Sequence, residues 1–201
     1  MSSKSDINNK MISNKHLEQL IEAAIFSFTK PLSVKVLKEK LLFQYDVSTN
    51  HIKQSLANIE KHYKNRGVNL VEVASGFQFQ IKAEHNEDIA LLTEEKPQKY
   101  SRALLETIAL IAYKQPITRG EIEDVRGVAV SSQIIKTLIE RNWIKIVGHK
   151  EVPGRPSMYA TTKEFLDYFS LKSLEQLPEL LPMEESSIVN GVMQDIMASN
   201  E

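Results

Sequence analysis

The chain has 201 residues, of which 42% are hydrophobic and 25% charged, a composition typical of a globular protein with one or two domains. It contains no cysteine, which excludes disulfides, thiolate nucleophiles and cysteine metal sites, and its net charge of -1 argues weakly against DNA as the main partner. No apolar stretch has the length of a signal peptide or a membrane span, so the sequence predicts a cytoplasmic protein without membrane contact.

The first half of the chain predicts three helices followed by a hairpin. Apolar residues recur at helical spacing over residues 17–28, which indicates a helix with one buried face. Ser33 is placed to cap a second, short helix and Ser48 or Thr49 to open a third, because their hydroxyls accept bonds from unpaired backbone N–H groups. The spacing then changes to the two-residue period of strands, so residues 68–81 predict a hairpin.

The same order of elements recurs 85 residues later. In this second copy, Thr118 and Glu121 have the spacing of a capping box, which predicts the start of its second helix. Gly127 is placed to end that helix, and Ser131 or Ser132 to open the third.

A second hairpin follows in this copy. Residues 143–147 and 158–160 predict its two strands, and residues 153–156 form a turn rich in glycine and proline between them. Thr161, with Glu164 three residues later, predicts a second capping box and a final helix.

Three helices and a hairpin, in this order, are typical of a winged helix. The sequence therefore predicts an α+β, mostly helical protein of two tandem winged-helix domains with small antiparallel β-hairpin wings. We expect a disordered extension over residues 1–16, one domain over 17–92, a linker over 93–100, a second domain over 101–182 and an acidic, disordered tail over 183–201. Apolar residues at helical spacing within the tail leave a docking helix as the alternative.

Motifs for catalysis and cofactor binding are absent from the sequence. It has no glycine-rich phosphate loop, no G-x-S-x-G nucleophile and no His-Glu-x-x-His helix, and its five histidines are scattered. The sequence therefore predicts a binding protein that needs no cofactor or metal and is not an enzyme.

Several stretches, in order and separation, resemble the signature of the segregation and condensation protein B (ScpB) family. They are residues 109–119, 121–122, 126–128, 154–156, 159, 161–162, 169, 171–174 and 177–178. The resemblance covers about residues 17 to 180.

The resemblance implies a non-enzymatic protein that forms homodimers, mainly through the N-terminal domains. It also implies that the C-terminal domains hold the central segment of a kleisin, segregation and condensation protein A (ScpA). Because the kleisin joins the ATPase heads of the SMC dimer, we expect contact with SMC only through the kleisin. The expected role is in chromosome condensation and partition, in the cytoplasm and on the nucleoid.

Two sets of candidate contact residues follow. The candidates for kleisin binding are Pro116, Thr118, Arg119, Glu121, Arg126, Arg155 and Tyr159. The candidates for dimerisation are Phe26, Leu42, Phe43 and Tyr45. Structural roles are the alternative for each set: a helix start for residues 116–121, pairing of Arg126 with Glu123 or Asp124, a core position for Tyr159, and internal packing for the apolar set.

A second function stays open at this point, that of a winged-helix transcriptional regulator whose third helix enters the major groove of DNA. Its candidate contacts are Lys136, Arg141, Lys145, Lys150 and Arg155. The first half of the chain is neutral, with nine Lys or Arg and nine Asp or Glu over residues 17–91, which argues against this function. Any DNA contact is expected to be indirect or weak.

Overall fold

The computed structural model describes residues 10–92 and 100–179 of the chain. These residues divide into two compact units, an N-terminal unit that ends at Lys82 and a C-terminal unit that begins at Ala83. Most of the predicted linker and the whole predicted acidic tail lie outside the described residues. No helix within the described ranges is long and apolar enough to cross a bilayer.

The N-terminal unit has the predicted order of three helices and a hairpin. Its elements are α1 (Asn14–Ser27), α2 (Val34–Val36) with a π-helical continuation (Leu37–Leu41), α3 (Thr49–Tyr63), β1 (Val68–Val73) and β2 (Gly76–Ile81). The hydroxyls of Ser33 and Ser48 accept N–H bonds at the starts of α2 and α3, which confirms both predicted caps.

The first helix begins earlier than the sequence predicts. Ser13 caps α1 by accepting a hydrogen bond from the His16 N–H, and the Lys10 N–H donates to the Gln44 carbonyl at 2.9 Å. Residues 10–16 are therefore part of the folded N-terminal unit, and the prediction of a disordered extension is wrong for them.

One buried cluster from all three helices and β1 forms the core of the N-terminal unit. Its members are Leu17, Ile21, Ile25, Leu37, Leu42, Val47, Ile52, Leu56, Ile59 and Leu70. Leu42 is only 2% exposed, because the π-helical turn ends with its N–H bonded to the Leu37 carbonyl and its side chain directed into the core. The prediction of Leu42 as a dimerisation contact is therefore wrong. Tyr45, predicted as exposed, is half-buried against the same cluster.

The hairpin of the N-terminal unit is fastened to the loop between α1 and α2. Leu32 and Phe77 exchange two backbone hydrogen bonds of 2.9 and 3.0 Å. Gly76 permits this approach, because it has a φ of +145° and any Cβ at this position would lie 2.3 Å from the Leu32 carbonyl carbon.

The C-terminal unit repeats this order and adds elements. It contains α4 (Asn86–Ala90), α5 (Arg102–Lys114), β3 (Ile117–Thr118), α6 (Arg119–Arg126), α7 (Ser132–Glu140), β4 (Ile144–His149), β5 (Ser157–Thr161) and α8 (Lys163–Tyr168). The strands form an antiparallel sheet in the order β3-β5-β4, over a core to which α5, α6 and α7 contribute. The prediction of a mostly helical fold with small antiparallel sheets is confirmed, although β3 was not predicted.

The caps of the C-terminal unit follow the sequence with one exception. Thr118 and Glu121 form the predicted capping box, and Gly127 ends α6 with a φ of 69°. The second predicted capping box is wrong, because Thr162 caps α8 instead of Thr161. Thr161 is the last residue of β5, and both its N–H and its hydroxyl donate to the side-chain carbonyl of Gln115.

Candidate partner-binding surfaces

The start of α6 is joined to the end of β4 by a single carboxylate. Glu121 accepts hydrogen bonds of 2.8 Å from both the N–H and the hydroxyl of Thr118. Its other oxygen accepts from Lys150 Nζ at 2.5 Å. The bond from Lys150, reinforced by those from Thr118, lowers the pKa of Glu121 from 4.5 to about 2. Glu121 is therefore ionised at neutral pH and holds the wing against the helix start.

Thr118 does not have the exposure that a contact residue needs. It is 3% exposed and its hydroxyl is used within the capping box. The prediction of Thr118 as a kleisin contact is therefore wrong, and its role is to start α6.

A second carboxylate joins α6 to the loop that precedes α7. Glu123 accepts from the Val130 N–H at 2.9 Å and from Arg119 Nε at 3.0 Å, and these bonds lower the pKa of its carboxyl group below the usual range. Arg119 also donates to the Ser132 hydroxyl. Its side chain stays 42% exposed, so Arg119 is both anchored and accessible.

Arg126 has a different partner from those that the sequence suggested. Its guanidinium donates to Glu106 on α5 at 2.9 Å, so the interpretation that it pairs with Glu123 or Asp124 is wrong. Burial raises the pKa of Glu106, but the bonds from Arg102 and Arg126 outweigh it and the pKa falls below its usual range. The Arg126 side chain is 8% exposed, because it lies against α5 instead of along its own helix. It therefore stabilises the contact between α5 and α6.

The remaining candidates for kleisin binding lie on the sheet and its turn. Pro116 is exposed before β3, and Arg155 is exposed in the turn between β4 and β5, where it pairs with Glu151 at 3.0 Å. Tyr159 is half-buried on β5, between Ile117 and Ile146 in the sheet register. Of the seven candidates, Pro116, Arg119, Glu121 and Arg155 keep substantial accessible surface.

Sequence reasoning missed an apolar surface on the wing. Ile146 and Val147 on β4 are 51% and 47% exposed, and Val152 in the following turn is 42% exposed. The sequence predicts an ordinary strand over residues 143–147, but Ile144 is the one buried residue of β4. Exposed apolar side chains on a strand are typical of a binding surface.

The N-terminal unit exposes aromatic side chains instead. Phe26 and Phe43 are 76% and 53% exposed, and Phe28, which the prediction omitted, is 62% exposed. The Phe26 ring meets Phe79 edge to face at 6.2 Å, and Phe79 in turn lies 4.8 Å from Tyr63. Phe26 is therefore held in position while most of its surface faces outward.

The cations proposed for DNA contact are mostly engaged within the chain. Lys136 lies 3.6 Å from Glu140, and Arg141 stacks 4.9 Å above the Tyr100 ring. Lys150 and Arg155 are paired with Glu121 and Glu151, as described above. Cations held in this way are poorly placed to neutralise phosphates, so the geometry does not favour DNA. Among the residues that the structure describes, no three His, Asp or Glu side chains come together as a metal site.

Comparison with known proteins adds an independent observation. The family model described as "Segregation and condensation complex subunit ScpB" matches residues 19–180. A "Segregation and condensation protein B homolog" of Coxiella burnetii is 51% identical over 176 residues, which cover 88% of this chain and 80% of that protein. The "Segregation and condensation protein B" of Syntrophotalea carbinolica is 40% identical over 171 residues, 84% of either chain. A crystal structure of ScpB from Mycobacterium tuberculosis aligns over 80% of this chain and 98% of that chain, with 26% identity and a TM-score of 0.37.

Proposed function

The chain belongs to the ScpB family of segregation and condensation complex subunits, and from this premise we propose that it is a non-enzymatic scaffold of a bacterial SMC complex. It forms a homodimer, binds the central region of the kleisin ScpA and reaches SMC through that kleisin. Its role is in chromosome condensation and segregation, at the nucleoid, with DNA contact at most indirect. The observation that carries the proposal is the family match over residues 19–180, which spans both units.

We assign dimerisation to the N-terminal unit. The exposure of Phe26 and Phe43 supports this assignment. Exposed phenylalanine is unfavourable in water, and burying one such side chain in an interface contributes about 2 kcal/mol. Aromatic residues are also enriched in the centres of interfaces between proteins.

We assign kleisin binding to the C-terminal unit. Its support is the combination of accessible Pro116, Arg119 and Arg155 with an apolar wing. The bond between Glu121 and Lys150 fixes that wing relative to α6, so a partner meets a surface that is already ordered.

A scaffold role also agrees with the use of the carboxylates in this unit. The pKa values of Glu106, Glu121 and Glu123 are lowered by bonds to arginine, lysine or backbone groups of the same chain. Such ion pairs and caps stabilise structure, whereas a general base at neutral pH needs a pKa near 7.

Co-expression of the full chain with ScpA from the same genome tests the proposal. We expect the two proteins to co-purify, and we expect Phe26→Glu to lower the mass of the purified chain from a dimer to its monomer value of 22.9 kDa. Val125→Glu, at a position that is 47% exposed in the other unit, is the matched control and should stay dimeric. A chain with a native circular dichroism spectrum that fails to bind ScpA would contradict the proposal.

A further inference from the structure

The three-stranded sheet of the C-terminal unit has two unlike edges. β3 is two residues long and both are buried, whereas β4 is six residues long. Lys145, Ile146 and Val147 of β4 are exposed in succession. Lys145 and Ile146 are neighbours before the register irregularity between Ile146 and Gly148, so their side chains point to opposite faces, and both faces of β4 are open here.

The outer edge of β4 also offers unpaired backbone groups. The Thr162 N–H donates to the Trp143 carbonyl, and Ile144 and Ile146 face Thr161 and Tyr159 of β5 in the register. Antiparallel pairs alternate between bonded and non-bonded positions, so the N–H and C=O groups of Ile144 and Ile146 point away from β5. No other described strand covers that side, because β4 ends the sheet order.

The charge of this edge restricts what fits on it. Lys150 and Arg155 are neutralised by Glu121 and Glu151, but Lys145 has no carboxylate partner among the described residues. A second copy of the chain, paired edge to edge, would bring two such lysines together, and like charges on paired strands are destabilising. An acidic segment is complementary instead.

We propose that an extended segment of a partner polypeptide, with apolar and acidic side chains in alternation, adds to β4 as a fourth strand. Its backbone pairs with Ile144 and Ile146, its apolar side chains cover Ile146 on one face of the sheet, and a carboxylate faces Lys145 on the other. This mode of recognition draws affinity from main-chain hydrogen bonds and specificity from the alternating side chains. The inference rests on the proposed function for the identity of the partner, which is the central region of the kleisin.

The sharpest test is Ile146→Pro in the full chain, with binding of the ScpA central region measured by calorimetry. Proline removes the outward N–H of position 146 and leaves the bonds between β4 and β5, so the sheet should persist. We expect at least a tenfold loss of affinity, since one hydrogen bond is lost and the backbones no longer approach closely. Ile146→Thr is the matched control, because it keeps the N–H and a β-branched side chain, and should lose less than threefold.

Two further measurements keep the inference testable if Ile146→Pro unfolds. Hydrogen exchange of the Ile144 and Ile146 amides in the unaltered chain should slow at least tenfold when the ScpA region is bound. Lys145→Glu should weaken binding about tenfold and reduce its dependence on salt, because the carboxylate of the partner loses its cation.

The outcomes separate this inference from the proposed function. If the unaltered chain does not bind ScpA, both are wrong. If it binds and a folded Ile146→Pro variant binds equally well, or if the two amides exchange at an unchanged rate, only strand addition is overturned. A change of the dimer mass in Ile146→Pro would assign this edge to a contact between copies and would likewise overturn it.

Discussion

The two units share an order of elements and fasten their hairpins alike, but they differ in how much of the outer strand is exposed. In the N-terminal unit, Leu32 pairs with Phe77 of β2, and the outer strand β1 has Glu72 as its one exposed residue. In the C-terminal unit, β3 pairs with β5 in the same way, and the outer strand β4 exposes Lys145, Ile146 and Val147 in succession. The comparison teaches that the same order of elements leaves different surfaces accessible. Under the proposed function, the N-terminal unit would use its exposed phenylalanines for self-association and the C-terminal unit its exposed outer strand for a partner.

The largest difference between the units should appear at their hairpin glycines. Gly76→Ala is expected to cost about 3 kcal/mol or more, because φ is +145° and the new Cβ would meet the Leu32 backbone at 2.3 Å. Gly154→Ala in the other hairpin should cost only about 1 kcal/mol, since nothing lies within 4 Å and only the positive φ of +84° opposes it. Urea unfolding followed by circular dichroism measures both, and equal losses would show that Gly76 does not approach the Leu32 backbone as described.

Neighbouring apolar residues in the N-terminal unit give the next largest contrast. Leu42→Ala should cost about 3 kcal/mol, because the side chain is 2% exposed and its removal leaves a cavity. Phe43→Ala, at 53% exposure, should change the monomer's free energy of unfolding by less than about 0.5 kcal/mol. Both variants are compared by urea unfolding at low protein concentration. A large loss of stability for Phe43→Ala, with a small one for Leu42→Ala, would mean that Phe43 and not Leu42 is the buried side chain.

The helix caps of the two units should differ less in their contribution to stability. Thr118→Ala removes a reciprocal capping box and should cost about 1.5 kcal/mol. Ser33→Ala removes a single bond at the three-residue α2 and should cost about 0.5 kcal/mol. Thermal unfolding by calorimetry gives both values, and a larger loss at Ser33 would contradict the stronger, reciprocal cap described for Thr118.

The smallest expected effect is that of pH on the bond between Glu121 and Lys150. The folded pKa of Glu121, about 2, lies below its usual value of 4.5, so the carboxylate stabilises the fold above pH 4.5 and this contribution disappears as the pH falls toward 2. Because the two side chains are 40% and 46% exposed, water screens the pair and the effect should be smaller than that of the cap. Urea unfolding of the unaltered chain and of Glu121→Gln should give a difference at pH 7 that shrinks between pH 4.5 and pH 2. A difference that grows on acidification would contradict the described bond.

The sequence was sufficient wherever the determining residues are close together in the chain. The capping box of Thr118 and Glu121 spans three positions, and the buried face of α1 repeats every three or four residues. The predicted β1 and the end of α6 at Gly127 are correct for the same reason.

The sequence failed where distant residues decide. The spacing of Thr161 and Glu164 predicts Thr161 as a cap, but its bond to Gln115, 46 positions earlier, keeps it at the end of β5. Arg126 finds Glu106 on another helix, 20 positions away. Leu42 was misplaced because the π-helical turn before it shifts the spacing that decides which neighbour is buried.

The exposure of β4 was missed for a similar reason. The two-residue repeat of apolar side chains is enough to identify a strand, but whether the faces of that strand are covered depends on the packing of elements around the sheet. The two-residue β3 was too short to produce any pattern at all.

The division of roles between the units is tested most directly by the mass of the complex with ScpA, measured by light scattering for Phe26→Glu and for Ile146→Pro. The account predicts that Phe26→Glu leaves one copy of the chain still bound to ScpA, whereas Ile146→Pro leaves a dimer that binds ScpA at least tenfold more weakly. A variant of the N-terminal unit that loses ScpA but stays dimeric, or a variant of β4 that becomes monomeric and keeps ScpA, would contradict it.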